Sequence, residues 1–155
     1  SDNEIVQLNN AGGCLRVMIG TTNAVIEKNY IRRGVLRSGT NVHVVYLYGS
    51  GITMRNNYVM GQVLAFGPDQ KICGNTIVDS NIAILLGGTQ GGSQAIGGGN
   101  DYLITNNTFA SYGDSDGSCF NDYAYNGAYP TNLGTLVCES KNNVYIPLDG
   151  APVAK

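Results

Sequence analysis

The 155-residue sequence lacks the features that mark several common classes of protein. Its longest apolar stretches run to about six residues, far short of the roughly 20 that cross a bilayer as a helix, so no membrane partner is predicted. No basic run is present and the net charge is −2, which argues against a nucleic-acid partner. Charged residues make up only 13% of the chain, and no acidic tail indicates disorder.

Metal-binding residues are also scarce. The four cysteines, Cys14, Cys73, Cys119 and Cys138, contain no CxxC pair, so no zinc site is predicted. Calcium is possible but not implied, and no other metal or cofactor is predicted. Cys119 and Cys138 are close enough in sequence to form a disulfide. Cys14 and Cys73 fall in predicted strands and are expected to act as small space-filling side chains.

What the sequence does contain is an internal repeat, which is the first guide to the fold class. In each copy a segment rich in Val, Ile or Thr leads into an asparagine. The clear copies centre on Asn29, Asn57, Asn75 and Asn107, and weaker copies on Asn143 and Asn9. Asparagine tolerates a left-handed backbone at a tight bend, and stacked amides can form hydrogen bonds along a column. These asparagines are therefore predicted to be structural.

A second element precedes each clear asparagine. It is an apolar run that ends in glycine, at Gly20, Gly49, Gly67, Gly87 and, in degraded form, Gly134. The shortest complete period, from Gly49 to Gly67, is 18 residues, which three short strands and three turns would fill. Helical repeats of about 33 residues are too long for this spacing. The sequence therefore predicts an all-β protein, a parallel β-helix or solenoid of about five to six coils in one domain, 1–155.

The pattern resembles the right-handed parallel β-helix of the pectate-lyase superfamily, which includes phage tailspike domains. In that family each coil runs strand, turn, strand, asparagine bend, strand and long turn. The glycine-ended runs would be first strands, and the segments before and after each asparagine second and third strands. The resemblance implies a polysaccharide partner held along the first-strand face, an extracellular or virion-surface location and a homotrimer. Because the chain opens within a coil, a fragment lacking N-terminal coils is also expected.

Strand alternation predicts the side chains that face outward. The predicted inward residues of the first strands are Val17, Ile19, Tyr46, Tyr48, Leu64, Phe66, Ile84 and Leu86, and the outward ones are Arg16, Met18, Val45, Leu47, Val63, Ala65, Ala83 and Leu85. On the third strands the outward set includes Tyr30, Tyr58, Arg32 and Met60. Two apolar outer faces predict a homo-oligomer. An error of one residue in this assignment, or turns of the same chain that cover the faces, would explain them equally well.

Glycan cleavage needs a pair of carboxylates for hydrolysis, or a base and a carboxylate-neutralising cation for a lyase. The candidate catalytic acids are Asp69, Asp79 and Asp101, and the candidate substrate-binding residues are Arg16, Arg37, His43 and Lys71. Asp69 and Asp79 also fit ordinary turns. Arg37 also fits a solvated loop, and His43 a plain strand position.

Three insertions, 32–41, 87–100 and 112–130, flank the first strand and are predicted to wall the groove. The catalytic motifs of polygalacturonases, pectate lyases and alginate epimerases are not found. The chain has no tryptophan, so its ten tyrosines would have to supply any sugar stacking. Two hypotheses follow: recognition and cleavage of a bacterial surface polysaccharide by a hydrolase or lyase, or a non-catalytic trimeric rod or carbohydrate-binding module.

Overall fold

The computed structural model describes residues 2–7, 13–34, 43–80, 84–86, 89–90, 94–95, 101–112, 120–122 and 137–147. None of these residues lies in a helix, so this part of the chain has no apolar helix long enough to span a membrane. The predicted insertions fall mostly outside these ranges. Asn9 and Arg37 lie outside them as well.

The strands, numbered in chain order, stack into three parallel sheets. Sheet 1 holds the first strands, β2 (Leu15–Val17), β5 (His43–Leu47), β8 (Gln62–Ala65), β11 (Ile84–Leu86) and β16 (Phe120–Asp122). Sheet 2 holds the second strands, β3 (Val25–Glu27), β6 (Thr53–Arg55), β9 (Gln70–Cys73), β14 (Asp101–Thr105) and β17 (Val137–Lys141). Sheet 3 holds the third strands, β1 (Asn3–Gln7), β4 (Asn29–Arg33), β7 (Tyr58–Met60), β10 (Thr76–Ser80), β15 (Thr108–Tyr112) and β18 (Val144–Pro147).

Within each sheet the strands follow one another in sequence order, each paired with strands of the neighbouring coils. This arrangement is a parallel β-helix, and it confirms the predicted fold class. A short antiparallel pair, β12 (Thr89–Gln90) and β13 (Gln94–Ala95), lies in the insertion that follows β11.

The asparagines form one continuous column at the corner between sheets 2 and 3. The backbone N–H and Nδ2 of Asn57 donate to Oδ1 of Asn75 at 2.9 and 3.0 Å. Asn75 donates to Asn107 in the same way at 2.9 and 3.1 Å, and Asn107 donates to Asn143. The predicted stacking of Asn29, Asn57 and Asn75 is therefore confirmed, and so is the weaker copy at Asn143.

Two details of the predicted bend are wrong. The left-handed backbone belongs to the residue before each column asparagine, as at Lys28, Asn56 and Asn106, which have φ angles of 55°, 56° and 57°. The column asparagine instead supplies the hydrogen-bonding amide. The copy assigned to residues 5–9 is also misplaced, because β1 belongs to sheet 3 and places Asn3 opposite Asn29.

The core lies between the three sheets. The side chains of sheets 2 and 3 that face it are all buried: Ile26, Met54, Ile72, Ile104, Ile31, Val59, Ile77 and Phe109. On the outer side of sheet 2, Arg55 and Glu27 form an ion pair, with Nη2 and Oε2 2.7 Å apart. Cys14 and Cys73 are half-buried, and the Cys14 thiol donates to the carbonyl oxygen of Arg32 at 3.2 Å. The proposed Cys119–Cys138 disulfide involves Cys119, which lies outside the described residues.

The inward and outward assignment of sheet 1 is wrong for the second and third coils. Val45, Leu47, Val63 and Ala65 are fully buried in the main core. The prediction aligned the runs on their glycines, but the glycine does not keep its register. Gly20 lies three residues after Val17, which faces the core as predicted. In the next two coils the glycine lies only two residues after the core-facing residue, which is Leu47, the partner of Val17, and then Ala65, the partner of Leu47. An offset of one residue reverses the two faces of a strand.

The outer side of sheet 1 carries a second apolar cluster of Tyr48, Leu64 and Phe66, with Tyr46 packed against it. Leu64 is only 2% exposed within a single chain. This face is therefore not an open apolar surface, contrary to expectation. Ile19 is also misassigned, because it is 47% exposed. On sheet 3, Tyr30 and Tyr58 point outward and are exposed, as predicted.

Candidate functional site

A shallow depression on the outer side of sheet 2 contains three of the predicted site residues. The turn that precedes β9 sets its geometry. Asp69 follows Pro68 with a left-handed φ of 57° and is exposed. The buried Gln70 anchors this turn, because its Nε2 donates to the carbonyl oxygen of Gly49 at 2.7 Å and to that of Pro68 at 3.3 Å. The turn interpretation of Asp69 is thus correct, and the same turn presents its carboxylate to solvent.

The strand register brings the second acid next to the first. Gln70 pairs with Tyr102, and Asp69 and Asp101 are the residues that precede this pair on successive coils. Lys71 pairs with Leu103, which pairs in turn with Glu139. Together these residues line a depression of about 420 Å³. The buried residues Gln70 and Tyr102 also line it.

The charged groups of this depression are largely unengaged. Within the described ranges, the side chains of Asp69, Asp101 and Lys71 make no hydrogen bond or ion pair, and only Glu139 is paired, with Lys141. The depression therefore holds three carboxylates and one ammonium group, a local charge of −2. In the described part of the chain, neither these carboxylates nor any other three His, Cys, Asp or Glu side chains are arranged so that they could hold a metal ion.

The spacing of the two free carboxylates can be compared with known chemistry. Neighbouring strands of a sheet are about 4.8 Å apart, and Asp69 and Asp101 sit on neighbouring coils. Retaining glycoside hydrolases hold their two carboxyl groups about 5–5.5 Å apart, and inverting ones about 6.5–9.5 Å apart. Acid and nucleophile roles for this pair are thus compatible with the coil spacing.

The other predicted site residues lie elsewhere. Asp79 is in β10 of sheet 3, on a different sheet from Asp69 and Asp101. His43 begins β5 of sheet 1. Arg16 is exposed on the outer side of sheet 1, with its Cζ 4.7 Å from the centre of the Tyr46 ring. The predicted set therefore divides between sheets, and only Asp69, Asp101 and Lys71 share one depression.

The outer side of sheet 1 forms a second polar and aromatic region around Arg16. The rings of Tyr46 and Tyr48 are 5.7 Å apart, and Tyr48 is equally far from Phe66. Burial, with a smaller contribution from neighbouring Tyr46, raises the pKa of Tyr48 above its ordinary value of 10.0, and Arg16 partly offsets this rise. Tyr48 is therefore a neutral aromatic side chain at physiological pH.

Sequence reasoning missed two residues, Glu139 and Gln62. Glu139 stands four residues before Asn143, as Lys71 stands four before Asn75, so alignment of the repeats could have found it. Gln62 is fully buried in β8, and neither atom of its amide has a hydrogen-bond partner among the residues that the structure describes. Nothing in the local sequence distinguishes Gln62 from a surface glutamine.

Comparison with known proteins finds no family model, no curated protein and no solved structure that matches the chain. The parallel β-helix is therefore established by its strand pairing, without support from a relative.

Proposed function

We propose that this chain is a pectate-lyase-like, tailspike-like β-helix that recognises and cleaves a bacterial surface polysaccharide, at the cell exterior or on a virion. The observation that carries the proposal is the placement of Asp69 and Asp101. Among the described residues neither carboxylate makes a hydrogen bond or ion pair, and the two precede the paired Gln70 and Tyr102 on successive coils, in one open depression. Two carboxylates that are close together repel each other, and a partner that donates a hydrogen bond or carries a positive charge would relieve this repulsion. Such a partner is expected where the carboxylates serve only the fold.

Hydrolysis is the reaction that these residues support best. One carboxyl group would protonate the glycosidic oxygen while the other attacks the anomeric carbon or activates water. A lyase would instead need Lys71 as the base and a cation to neutralise a uronate. Here an anionic uronate would face Asp69, Asp101 and Glu139, so Coulomb repulsion disfavours its binding.

The test is release of reducing ends from purified bacterial surface polysaccharides, with absorbance of unsaturated products as the readout for a lyase. Asp69→Asn and Asp101→Asn are each expected to reduce hydrolysis by at least about a hundredfold, the lower range for loss of a general acid or base. Asp79→Asn serves as the matched control on sheet 3 and should retain activity. Full activity in both depression variants would refute the site, and loss of activity in Asp79→Asn alone would move it to sheet 3.

A non-catalytic trimeric rod or carbohydrate-binding module is the second proposal, favoured by the exposed end of sheet 3. Val144 and Ile146 on β18 are 53% and 51% exposed and point outward side by side. Exposed apolar side chains in a group often mark an interface. Light scattering would give three times the chain mass of 16.4 kDa for a trimer. Val144→Glu should then yield monomers, and a wild-type monomer would exclude this assembly.

A further inference from the structure

We infer a second glycan-binding site on the outer side of sheet 3, formed by the exposed rings of Tyr30 and Tyr58. This site is separate from the acidic depression on sheet 2 and does not depend on cleavage there. Tyr30 and Tyr58 pair in register on β4 and β7, and they are 37% and 40% exposed. Their ring centres are 5.3 Å apart with planes inclined by 31°. Two neighbouring aromatic rings thus face solvent on successive coils.

The first ring is held in place before any ligand arrives. The Tyr30 hydroxyl donates to Sδ of Met60 at 3.2 Å. The Cζ of Arg32 lies 5.9 Å from the centre of the same ring, and Arg32 is itself fixed by an ion pair with Glu4 at 3.0 Å. Aromatic side chains with few free torsions lose little entropy on binding, so a preorganised ring favours affinity.

Tyr58 is more accessible to a ligand on one side. The next residue in its column is Thr76, whose side chain is much smaller than an aromatic ring. The Tyr58 hydroxyl has no hydrogen-bond partner in the described ranges. A saccharide at this step can pack its C–H face on the ring, while the hydroxyl remains available to a sugar oxygen.

Polar side chains complete the site. The two tyrosines line a depression of about 450 Å³ together with Asp2, Lys28 and Asn56, a volume within the range of small-molecule sites. The side chains of these three polar residues make no hydrogen bond or ion pair with other described residues. Lys28 and Asn56 are both exposed on the turns beside the asparagine column. The side chains of Asp2, Lys28 and Asn56 therefore offer hydrogen-bond donors and acceptors beside the rings of Tyr30 and Tyr58.

This composition favours a neutral glycan over a protein surface. An apolar protein partner would bury the amide of Asn56 and the charges of Asp2 and Lys28 without partners, which is costly. Sugar hydroxyls can donate to the carboxylate of Asp2, accept from the ammonium group of Lys28, and do both with the amide of Asn56. The charges balance, since Asp2 opposes Lys28 and Glu4 is paired with Arg32. The site thus selects neither an anionic nor a cationic polymer.

Binding of maltohexaose, cellohexaose and chitohexaose, with polygalacturonate as the anionic comparison, tests the inference. The full chain would carry Asp69→Asn and Asp101→Asn, so that turnover cannot obscure binding. If the proposed cleavage is wrong, these changes do not touch the tyrosine site. Because the chain lacks tryptophan, tyrosine fluorescence reports on ligand contact, and equilibrium dialysis gives the affinity.

At least one neutral hexasaccharide is expected to bind, and Tyr58→Ala should weaken that binding about tenfold, the loss typical of one aromatic stacking contact. Tyr58→Phe, which retains the ring, should lose less. Thr108→Ala is the matched control because Thr108 lies in the same outward column two coils beyond Tyr58. The inference is overturned if no neutral hexasaccharide binds, if only polygalacturonate binds, or if Tyr58→Ala keeps the affinity of its parent while circular dichroism shows it folded.

Discussion

The two corners that flank sheet 2 are built on different principles. At the corner with sheet 3, every described coil places an asparagine in the same position, and its amide bonds to the coil on either side. At the corner with sheet 1, the connecting segments 18–24, 48–52 and 66–69 shorten from coil to coil and share no residue pattern except glycine. The first corner fixes the stacking of the coils. The corner between sheets 1 and 2 can therefore vary. Asp69, whose carboxylate has no partner among the described residues, lies at this corner.

The largest loss of stability is expected from a side chain at Gly67, because the corner between sheets 1 and 2 requires a glycine there. A Cβ on Gly67 would overlap the carbonyl oxygen of Gly49 in the preceding coil and lie 2.8 Å from Nε2 of Gln70. Because backbone would have to move, Gly67→Ala is expected to destabilise the fold by about 3–5 kcal/mol. Urea unfolding followed by circular dichroism measures this change.

Gly20→Ala provides the control for Gly67. A Cβ on Gly20 would meet nothing within 4 Å, although the φ of +89° makes alanine strained there. Its cost should be about 1–2 kcal/mol, from the backbone alone. Equal losses at the two positions would contradict the close-approach explanation for Gly67.

Breaking the repeated corner should have the next largest effect. Asn75 Nδ2 donates to Met54 O at 2.9 Å, and its Oδ1 accepts from Asn57. Asn75→Ala would leave buried donors and acceptors on both neighbouring coils, so a loss of about 3 kcal/mol is expected. Asn3→Ala at the exposed end of the column removes one bond of 3.2 Å, to Asn29, and should cost under about 1 kcal/mol. Thermal unfolding measures both losses. Similar losses of stability at Asn75 and Asn3 would contradict the view that the buried amides of the column stabilise the stacking of the coils.

The same contrast explains how much of the fold could be read from the sequence. Asn57 and Asn75 repeat because each must bond to an identical neighbour, so the repeat itself reveals the corner and, with it, sheets 2 and 3. Gly49 and Gly67 are required for a local approach of two backbones, not for a register. These glycines reveal that a first strand precedes them, but not which residues of that strand face the core. The prediction that Val45 and Leu47 point outward is wrong for this reason, because both are in the core.

Tyr48 makes the stability of the corner between sheets 1 and 2 depend on pH, since it is the first residue of the connecting segment 48–52. Its pKa is raised in the folded state, mainly by burial, so above pH 10 the unfolded chain loses a proton that the folded chain keeps. Stability should therefore fall as pH rises beyond about 10, and this group contributes no slope below that value. Urea unfolding at pH 9, 10 and 11 should show a steeper alkaline decline for the wild type than for Tyr48→Phe. Parallel declines would mean that Tyr48 ionises without a cost in the folded state.

The candidate site was only partly predictable, for a reason that lies in the topology. Asp69 and Asp101 are separated by an insertion, and the sequence distance between them does not reveal that they stand on adjacent coils. Counting back from Asn75 and Asn107 gives six residues in both cases, so the column supplies the missing alignment. Asp79 follows its asparagine and therefore belongs to another sheet.

The smallest expected effect concerns the stability of the acidic depression. Asp69 and Asp101 have no stabilising partner in the described ranges, and like charges on adjacent coils repel. Asp101→Asn should therefore leave stability unchanged or raise it by up to about 0.5 kcal/mol, while it reduces the proposed cleavage by at least about a hundredfold. Stability gained as activity is lost indicates a residue placed for function rather than for folding. A loss above about 1 kcal/mol on urea unfolding would show instead that Asp101 serves the scaffold, as the asparagine column does.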